Sequence, residues 1–137
     1  MACLVGQCLT AVDSSAGPSW VLVFGHNCSL QIGGVWRVIR KGRIEITSED
    51  HQQKFGLPNA IDAGRDLRKT ISSSTVTAAE VAPETGDLLI QFGDRARFEV
   101  ITDSCGYESW VLNRPDSTVL VATGGGTLVP NEVKSDG

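Results

Sequence analysis

The sequence lacks the segments that carry proteins to or across membranes. No apolar run approaches the roughly 20 residues that a membrane-spanning helix needs. The first residues, MACLVGQCL, have no basic start, no long apolar run and no small-residue cleavage site, so they do not resemble a signal peptide. We therefore predict a cytoplasmic protein that makes no contact with a membrane.

The sequence also lacks the paired cysteines of a zinc site. Cys3 and Cys8 are separated by four residues and no second pair follows, whereas zinc ligands usually come as pairs such as Cys-x2-Cys. In the cytosol, the four cysteines would stay reduced rather than form a disulfide framework. We predict no bound metal and no cofactor.

Positive charge is in deficit. The chain has 12 lysines and arginines against 16 aspartates and glutamates, giving a net charge of −4, while nucleic-acid binders are usually basic, so we predict no nucleic-acid partner. Hydrophobic residues make up 41% and charged residues 20%, which is typical of a folded soluble protein. A length of 137 residues predicts one domain over residues 1–130, followed by a tail at 131–137.

One stretch has a helical pattern, residues 59–71 with the sequence NAIDAGRDLRKTI. Its apolar and small residues recur at steps of three and four and so share one face: Ala60, Ala63, Gly64, Leu67 and Ile71. Asn59 is expected to cap the helix by accepting from the free amides of its first turn. The small residues would let the helix lie close against a sheet.

The remainder of the chain has the composition of about ten short antiparallel strands joined by glycine-rich and polar turns. The predicted strands are residues 4–12, 20–24, 29–32, 35–40, 43–47, 76–81, 88–92, 97–101, 110–112, 118–122 and 127–129. The protein is therefore predicted to be α+β, with either one strongly bent sheet or two packed sheets and the helix across the open side.

The segments on the two sides of the helix are similar. LTAV, VLVFG, LQI and WRV, between residues 9 and 38, recur in order as VTAAEV, LIQFG, FEV and WVL between residues 76 and 112. Either a unit was duplicated, or two hairpins converged on the same alternation and glycine turn. Both explanations place the helix between two similar halves.

The residues that could form a catalytic centre are few. His26 and Cys28 lie two positions apart at a hairpin, with Asp13 or Glu108 as candidate orienting groups for a cysteine nucleophile. The competing interpretation is a solvated hairpin tip and a small packing residue. We predict no catalytic residue, and keep as an alternative a small enzyme or ligand-binding domain. Its pocket would lie between helix and sheet, with His26, His51 or Glu108 converging on it.

Two groups of residues are candidates for binding. Arg37, Arg40, Lys41 and Arg43 form a basic hairpin tip that either contacts an acidic partner or phosphate or is simply a solvated hairpin rim. Strand alternation predicts that Arg37 points away from Trp36, Val38 and Ile44.

The second group is aromatic. Tyr107, Glu108 and Trp110 follow a flexible turn, and they either form part of a contact surface or begin a strand that packs under the loop. Trp20 and Trp36 lie in apolar strands and are expected in the core. His51, in a polar stretch before the helix, is either a surface contact or part of a solvated loop.

The order of several short motifs resembles that of an uncharacterised family of small bacterial proteins. The motifs are GQCL near the start, KFGLP before the helix, TGDLLIQF after it, then YESWVL and a GGG turn. The resemblance covers nearly the whole chain and implies a small soluble bacterial domain of unknown function. YESWVL is also similar to a piece found in immunity proteins of bacterial toxin systems.

These observations together favour a non-enzymatic protein-binding module, with an immunity-like toxin inhibitor as its most concrete form. An acidic compact domain can block a basic toxin by surface complementarity alone. A structural homodimer formed through an exposed sheet edge is a further alternative, and the sequence leaves a monomer and a homodimer open.

Overall fold

The computed structural model describes residues 3–14, 19–25, 28–103, 108–114, 117–122 and 128–130. Within them, eleven strands form two antiparallel sheets beside a single α-helix. The predicted α+β class is confirmed, and of the two arrangements that the sequence left open the structure has two sheets. The predicted tail at 131–137 lies outside the described residues.

The strands are short and close in bounds to those predicted. In chain order they are β1 (Leu9–Asp13), β2 (Trp20–Phe24), β3 (Cys28–Ile32), β4 (Val35–Arg40), β5 (Arg43–Thr47), β6 (Ala78–Val81), β7 (Leu88–Phe92), β8 (Ala96–Ile101), β9 (Trp110–Arg114), β10 (Ser117–Ala122) and β11 (Leu128–Pro130). The first sheet has the order β1-β2-β3-β9-β10-β11, and the second has the order β5-β4-β8-β7-β6.

Both sheets bury alternate residues into one shared core. In β2, for example, Trp20, Leu22 and Phe24 are buried while the residues between them are only half-buried. Trp20 meets Trp36 of the second sheet edge-on, with ring centroids 5.1 Å apart, and Trp36 packs on Phe98 at 5.5 Å. The prediction that Trp20 and Trp36 are core residues is confirmed.

The helix, α1, spans Ala63–Ile71 and contacts β1 and β5, which are the edge strands of the two sheets. It therefore covers the side on which those edges lie. The predicted close packing is confirmed at Gly64, where an added Cβ would lie 3.2 Å from Trp20 and 3.3 Å from Val12.

The predicted start of the helix at residue 59 is wrong, and Asn59 is not its cap. Asp62 caps the helix by accepting from the backbone N–H of Arg65 at 3.0 Å. The fully buried residues of the helix begin only at Ala63, so an extension back to residue 59 would add about one turn that contains no fully buried residue. Residues 52–61 form a loop instead.

The first strand is also shorter than predicted. Residues 3–6 form a turn in which Gln7 donates its N–H to the carbonyl of Leu4, and Gly6 has a φ of 89°. Leu4 is fully buried from within this turn, so its apolar side chain belongs to the core without belonging to a strand. Pairing with β2 begins at Leu9, and the ladder is regular from Ala11 onward, after a register shift between these two residues.

The two similar halves exchange their hairpins. In the first half, β1, β2 and β3 are consecutive neighbours, yet β4 and β5 leave for the second sheet, where β4 pairs with β8. In the second half, β6, β7 and β8 are consecutive neighbours, and β9 and β10 cross to the first sheet, where β9 pairs with β3. Each sheet is thus completed by strands from the other half.

The correspondence between the halves extends to the register. Leu22 faces Leu30 in the first half, as Ile90 faces Phe98 in the second. The glycines that follow β2 and β7 both have positive φ, 60° at Gly25 and 56° at Gly93. The exchanged hairpins β4–β5 and β9–β10 each contain one register shift. Convergence on apolar alternation and a glycine turn does not by itself require a register shift in both of these hairpins.

The two connections that carry the chain between sheets touch each other. Gly33 and Gly34, which join β3 to β4, both donate their N–H groups to the carbonyl of Ser109, at 2.8 and 3.1 Å. A Cβ on Gly34 would lie 2.7 Å from the carbonyl oxygen of Ile101. Only glycine fits this approach without a shift of the backbone.

Candidate interaction surface

The loop before the helix, residues 52–61, is closed by its own backbone. Gln52 donates its N–H to the carbonyl of Ile61, and Ile61 donates to Gln53, both at 2.8 Å. Near the tip, Leu57 donates to the carbonyl of Lys54 at 2.7 Å. We call this segment the pre-helix loop. Its two ends are joined by backbone hydrogen bonds, and one further bond spans the tip.

The tip of the pre-helix loop displays two apolar side chains. Phe55 is 66% exposed and Leu57 is 52% exposed. Phe55 also has a φ of 49°, in the left-handed region that side chains other than those of glycine, asparagine and aspartate rarely adopt. An exposed aromatic residue in a strained conformation is a feature that clusters at ligand-contacting segments.

His51 lies at the base of the loop and supports it from the inside. Its Nδ1 accepts from the backbone N–H of Ala63 at 3.1 Å, which satisfies one free amide of the first helical turn. Its ring packs edge-on against Trp20 with centroids 4.9 Å apart. Because Nδ1 accepts, that nitrogen carries no proton. His51 is half-buried and positions the loop more than it presents itself to a partner.

A polar recess of about 340 Å³ lies beside the base of the loop. Trp20 and His51 form part of its wall, and Glu49 and Asp103 are its carboxylates. The rest of its lining is Ser14, Gly33, Gly34, Val35 and Ser48. The recess thus lies between the β3–β4 connection and residues 48–51, which directly precede the pre-helix loop.

Two of the four basic residues of the hairpin tip form ion pairs in the structure. Arg37 forms an ion pair with Glu99 at 2.7 Å, and Arg97 reaches the other oxygen of the same carboxylate at 2.9 Å. Arg40 forms an ion pair with Glu45 at 3.1 Å. Of the four predicted residues, Lys41 and Arg43 remain exposed at the tip, beside a shallow recess of about 220 Å³.

The predicted orientation of the tip is wrong for Ile44. This residue is 55% exposed, and Ile46 is the buried residue of β5. The ladder between β4 and β5 shifts register between Val38 and Ile39, which moves the residues beyond the shift to the opposite face. Arg37 does lie on the face away from the buried Trp36 and Val38.

The aromatic contact surface is not supported at Trp110. This residue is 1% exposed, and its indole N–H donates to the carbonyl of Gly86 at 2.8 Å. A buried, hydrogen-bonded indole is a core residue, so of the two alternatives that the sequence left open, Trp110 begins a packed strand. Glu108 is exposed, and Tyr107 lies outside the described residues.

The thiol of Cys28 is unsuited to nucleophilic attack. It is buried and donates to the carbonyl of Cys3 at 2.9 Å. Burial, followed by the interaction with Cys3, raises the pKa of the Cys28 thiol from 9.0 to about 12. The reactive thiolate is therefore scarce at neutral pH. His26, the base considered for this cysteine, lies outside the described residues.

Comparison with known proteins finds a family. The model of a family of unknown function, DUF6188, matches residues 18–130. The chain belongs to this family. No curated protein and no solved structure gave a match.

In the described part of this DUF6188 member, no helix combines the length and apolar character needed to cross a membrane. In the same residues, no three histidine, cysteine, aspartate or glutamate side chains come together as metal ligands would.

The exposed pair Phe55 and Leu57 was missed by the sequence analysis. Both residues lie in KFGLP, one of the motifs that resemble the uncharacterised bacterial family, and no binding role was predicted for them. One signal was available: two large apolar residues stand there between polar residues, a glycine and a proline, without a helical or alternating partner to bury with.

Proposed function

We propose that the protein is a non-enzymatic protein-binding module of the bacterial cytoplasm, of the immunity type that neutralises a toxin, and that the pre-helix loop is its contact element. The observation that carries this proposal is Phe55, which is 66% exposed at a φ of 49°.

Phe55 lowers the stability of the folded chain. A side chain in the left-handed region costs roughly 1–2 kcal/mol relative to ordinary backbone, and an exposed phenyl ring gains little from burial within the chain. Glycine at position 55 would remove the strain, and a polar residue would suit the solvent. Phe55 is neither unstrained nor polar, and a contact between its ring and another molecule would explain why phenylalanine stands at this position.

The loop is also preorganised for binding. The hydrogen bonds between Gln52, Gln53 and Ile61 close it, and His51 and Asp62 fix the start of the helix behind it. A partner would therefore meet an ordered apolar tip and would lose little free energy in ordering it. Aromatic anchors of this kind commonly dominate binding energy at protein interfaces.

The immunity form of the proposal is supported by charge and by resemblance. The chain carries a net charge of −4, which complements a basic toxin and accelerates their encounter. The likeness of YESWVL to a piece of immunity proteins points the same way.

The test is photo-crosslinking from three positions in the source cell, followed by measurement of the purified complex. Crosslinkers at 55 and 57 are expected to capture a partner, while one at position 44 is not. Ile44 is the matched control because it is a comparably exposed aliphatic residue on a different element.

With the captured partner purified, Phe55→Ser/Leu57→Ser should weaken binding by about 100-fold or more, the range of interface hot spots. Ile44→Ser should leave binding unchanged. The partner expressed alone should be toxic, and wild-type protein, but not the double variant, should relieve that toxicity.

Undiminished binding by the double variant would overturn the role of the loop. Crosslinks from position 44 alone would move the contact to the basic hairpin tip. Crosslinks only to a second copy of the chain, with a dimer in gel filtration at several concentrations, would replace the proposal by the homodimer. A partner that is bound through the loop but is harmless would remove the immunity form.

A further inference from the structure

We propose that Cys3 and Cys28 form a site of reversible oxidation, where a low-molecular-weight disulfide converts the two thiols into an intramolecular disulfide bond. Both cysteines are free in the structure. Cys28 is the first residue of β3 and is buried, whereas Cys3 lies in the turn before β1 and is half-buried. A solvent-accessible cysteine with a second thiol beside it is a common arrangement at redox-responsive sites.

The two residues are in direct contact. The thiol of Cys28 donates to the carbonyl oxygen of Cys3 at 2.9 Å. The Cα of Cys3 is two bonds from that oxygen and the Cα of Cys28 is two bonds from that sulfur, so the two Cα atoms are at most about 8 Å apart. This limit includes the roughly 4.4–6.8 Å that disulfides span between Cα atoms.

The two thiols also interact with each other. Burial, then a side-chain hydrogen bond with Cys3 and then the charge of Cys3 raise the pKa of the Cys28 thiol to about 12. The second and third of these causes require the thiol of Cys3 to lie close to that of Cys28. The two sulfur atoms are therefore neighbours before any oxidant acts.

The difference in burial assigns the first step to Cys3. An oxidant in solution reaches a half-buried thiol more readily than a buried one. The thiolate of Cys3 attacks one sulfur of the low-molecular-weight disulfide, so that a mixed disulfide forms and one small thiolate leaves.

Cys28 completes the reaction. Its thiol loses a proton and attacks the Cys3 sulfur of the mixed disulfide, which forms the bond between the two cysteines and releases the second small thiolate. The two cysteines have then lost two electrons and two protons, and the small disulfide has gained them as two thiols. The thiolate of Cys28 is scarce at neutral pH, so this step is the slower one, and the contact with Cys3 offsets that scarcity.

The disulfide would hold the turn before β1 against the core. Leu4, directly after Cys3, is fully buried, and Gly6 donates its N–H to the carbonyl of Val76 at 2.8 Å. Strand β3 pairs with β2 on one side and β9 on the other, so it lies inside the first sheet. A covalent bond from residue 3 to this strand would keep Leu4 in place under oxidising conditions and stabilise the fold by restricting the unfolded chain.

The test is equilibration with glutathione of the full chain carrying Cys8→Ser/Cys105→Ser, which leaves only the two proposed cysteines. The folded protein should lose two hydrogen atoms in mass in excess oxidised glutathione and regain them in excess reduced glutathione. The equilibrium constant for forming the disulfide should be larger in buffer than in denaturing urea by about tenfold or more, because the fold holds the two sulfur atoms together.

Further substitutions separate the two roles. Adding Cys28→Ala should stop the reaction with one glutathione attached to Cys3, and adding Cys3→Ser should leave the buried Cys28 unmodified. In the matched control, Cys3→Ser/Cys105→Ser, the other half-buried cysteine, Cys8, remains with Cys28. This control should form no intramolecular disulfide, because the sulfur of Cys8 contacts the hydroxyl of Thr75 instead, at 3.7 Å.

Three results would overturn the proposal. They are an equilibrium constant in buffer no larger than that in urea, addition of glutathione to both cysteines without a bond between them, and equal disulfide formation by the Cys8 control. The comparison between buffer and urea uses a chain that retains both Cys3 and Cys28, so it decides the question even if Cys28→Ala fails to fold.

Discussion

Phe55 combines backbone strain with exposure, and the two effects can be separated by choice of substitution. Phe55→Gly removes both the ring and the left-handed strain, whereas Phe55→Ser removes the ring and keeps the strain. We expect the glycine variant to be the more stable of the two by about 1 kcal/mol. Urea unfolding of both variants measures this difference. A serine variant as stable as the glycine variant would show that the φ of 49° costs nothing.

Gly34 is required by the approach of another chain segment. In Gly34→Ala the new methyl group would meet the carbonyl oxygen of Ile101 at 2.7 Å, so backbone must shift. We expect a loss of about 1–3 kcal/mol in the free energy of unfolding. Gly33→Ala is the control, because its nearest contact, the carbonyl of Glu108, is at 3.3 Å and its loss should be smaller. Equal losses in chemical denaturation would contradict this account.

Cys28 makes stability depend on alkaline pH. Its pKa is raised in the folded protein to about 12 from 9.0, so its contribution is fully present below pH 9 and is lost as pH rises towards 12. The free energy of unfolding of the wild type should therefore fall relative to that of Cys28→Ala between pH values of about 7.5 and 10.5. Cys8→Ala is the control at a half-buried cysteine and should keep the wild-type decline. A constant difference between wild type and Cys28→Ala would refute the prediction.

At the scale of elements, the helix start depends on one carboxylate. Asp62→Ala removes the side chain that accepts from Arg65 and should cost about 1 kcal/mol of stability. Asn59→Ala, at the position that the sequence favoured as the cap, should cost less than about 0.5 kcal/mol, as exposed loop substitutions usually do. Thermal unfolding of the two variants compares them. A larger loss at Asn59 would restore the longer helix.

The sequence was most informative where burial alternates. Strand β2 could be predicted because its alternate residues, Trp20, Leu22 and Phe24, are large and apolar. The hairpin turns could be predicted from their glycines. The register shift between Val38 and Ile39 leaves no comparable mark, so Ile44 was assigned to the wrong face. Leu4 is apolar and buried but lies in a turn, because tertiary contacts outweighed its strand pattern.

The candidate site was less accessible to sequence reasoning than the strands. The sequence left Trp110 open between a contact surface and a packed strand, because its acceptor, the carbonyl of Gly86, is 24 residues away in the chain. The ion pair between Arg37 and Glu99 likewise joins β4 to β8, which are distant in sequence. A surface contact at His51 stays a prediction, and its hydrogen bond to Ala63 could not be foreseen because it requires the folded loop.

At the scale of the whole molecule, the exchanged hairpins make each sheet depend on both halves of the chain. The pairings β3 with β9 and β4 with β8 join residues on opposite sides of the pre-helix loop. The helix and the pre-helix loop are the covalent link between those halves, but the ladders join them independently of that link.

A chain cut after Lys54 would consist of two pieces that share both sheets. The piece that ends at Lys54 contributes β4 and β5 to the second sheet, and the other piece contributes β9, β10 and β11 to the first. With a specific cleavage sequence inserted after Lys54, the severed protein should migrate as two bands in detergent and elute as one native-sized particle without it. The pairing of strands from both pieces would then be enough to hold the folded molecule together, and the peptide bond after Lys54 would not be needed.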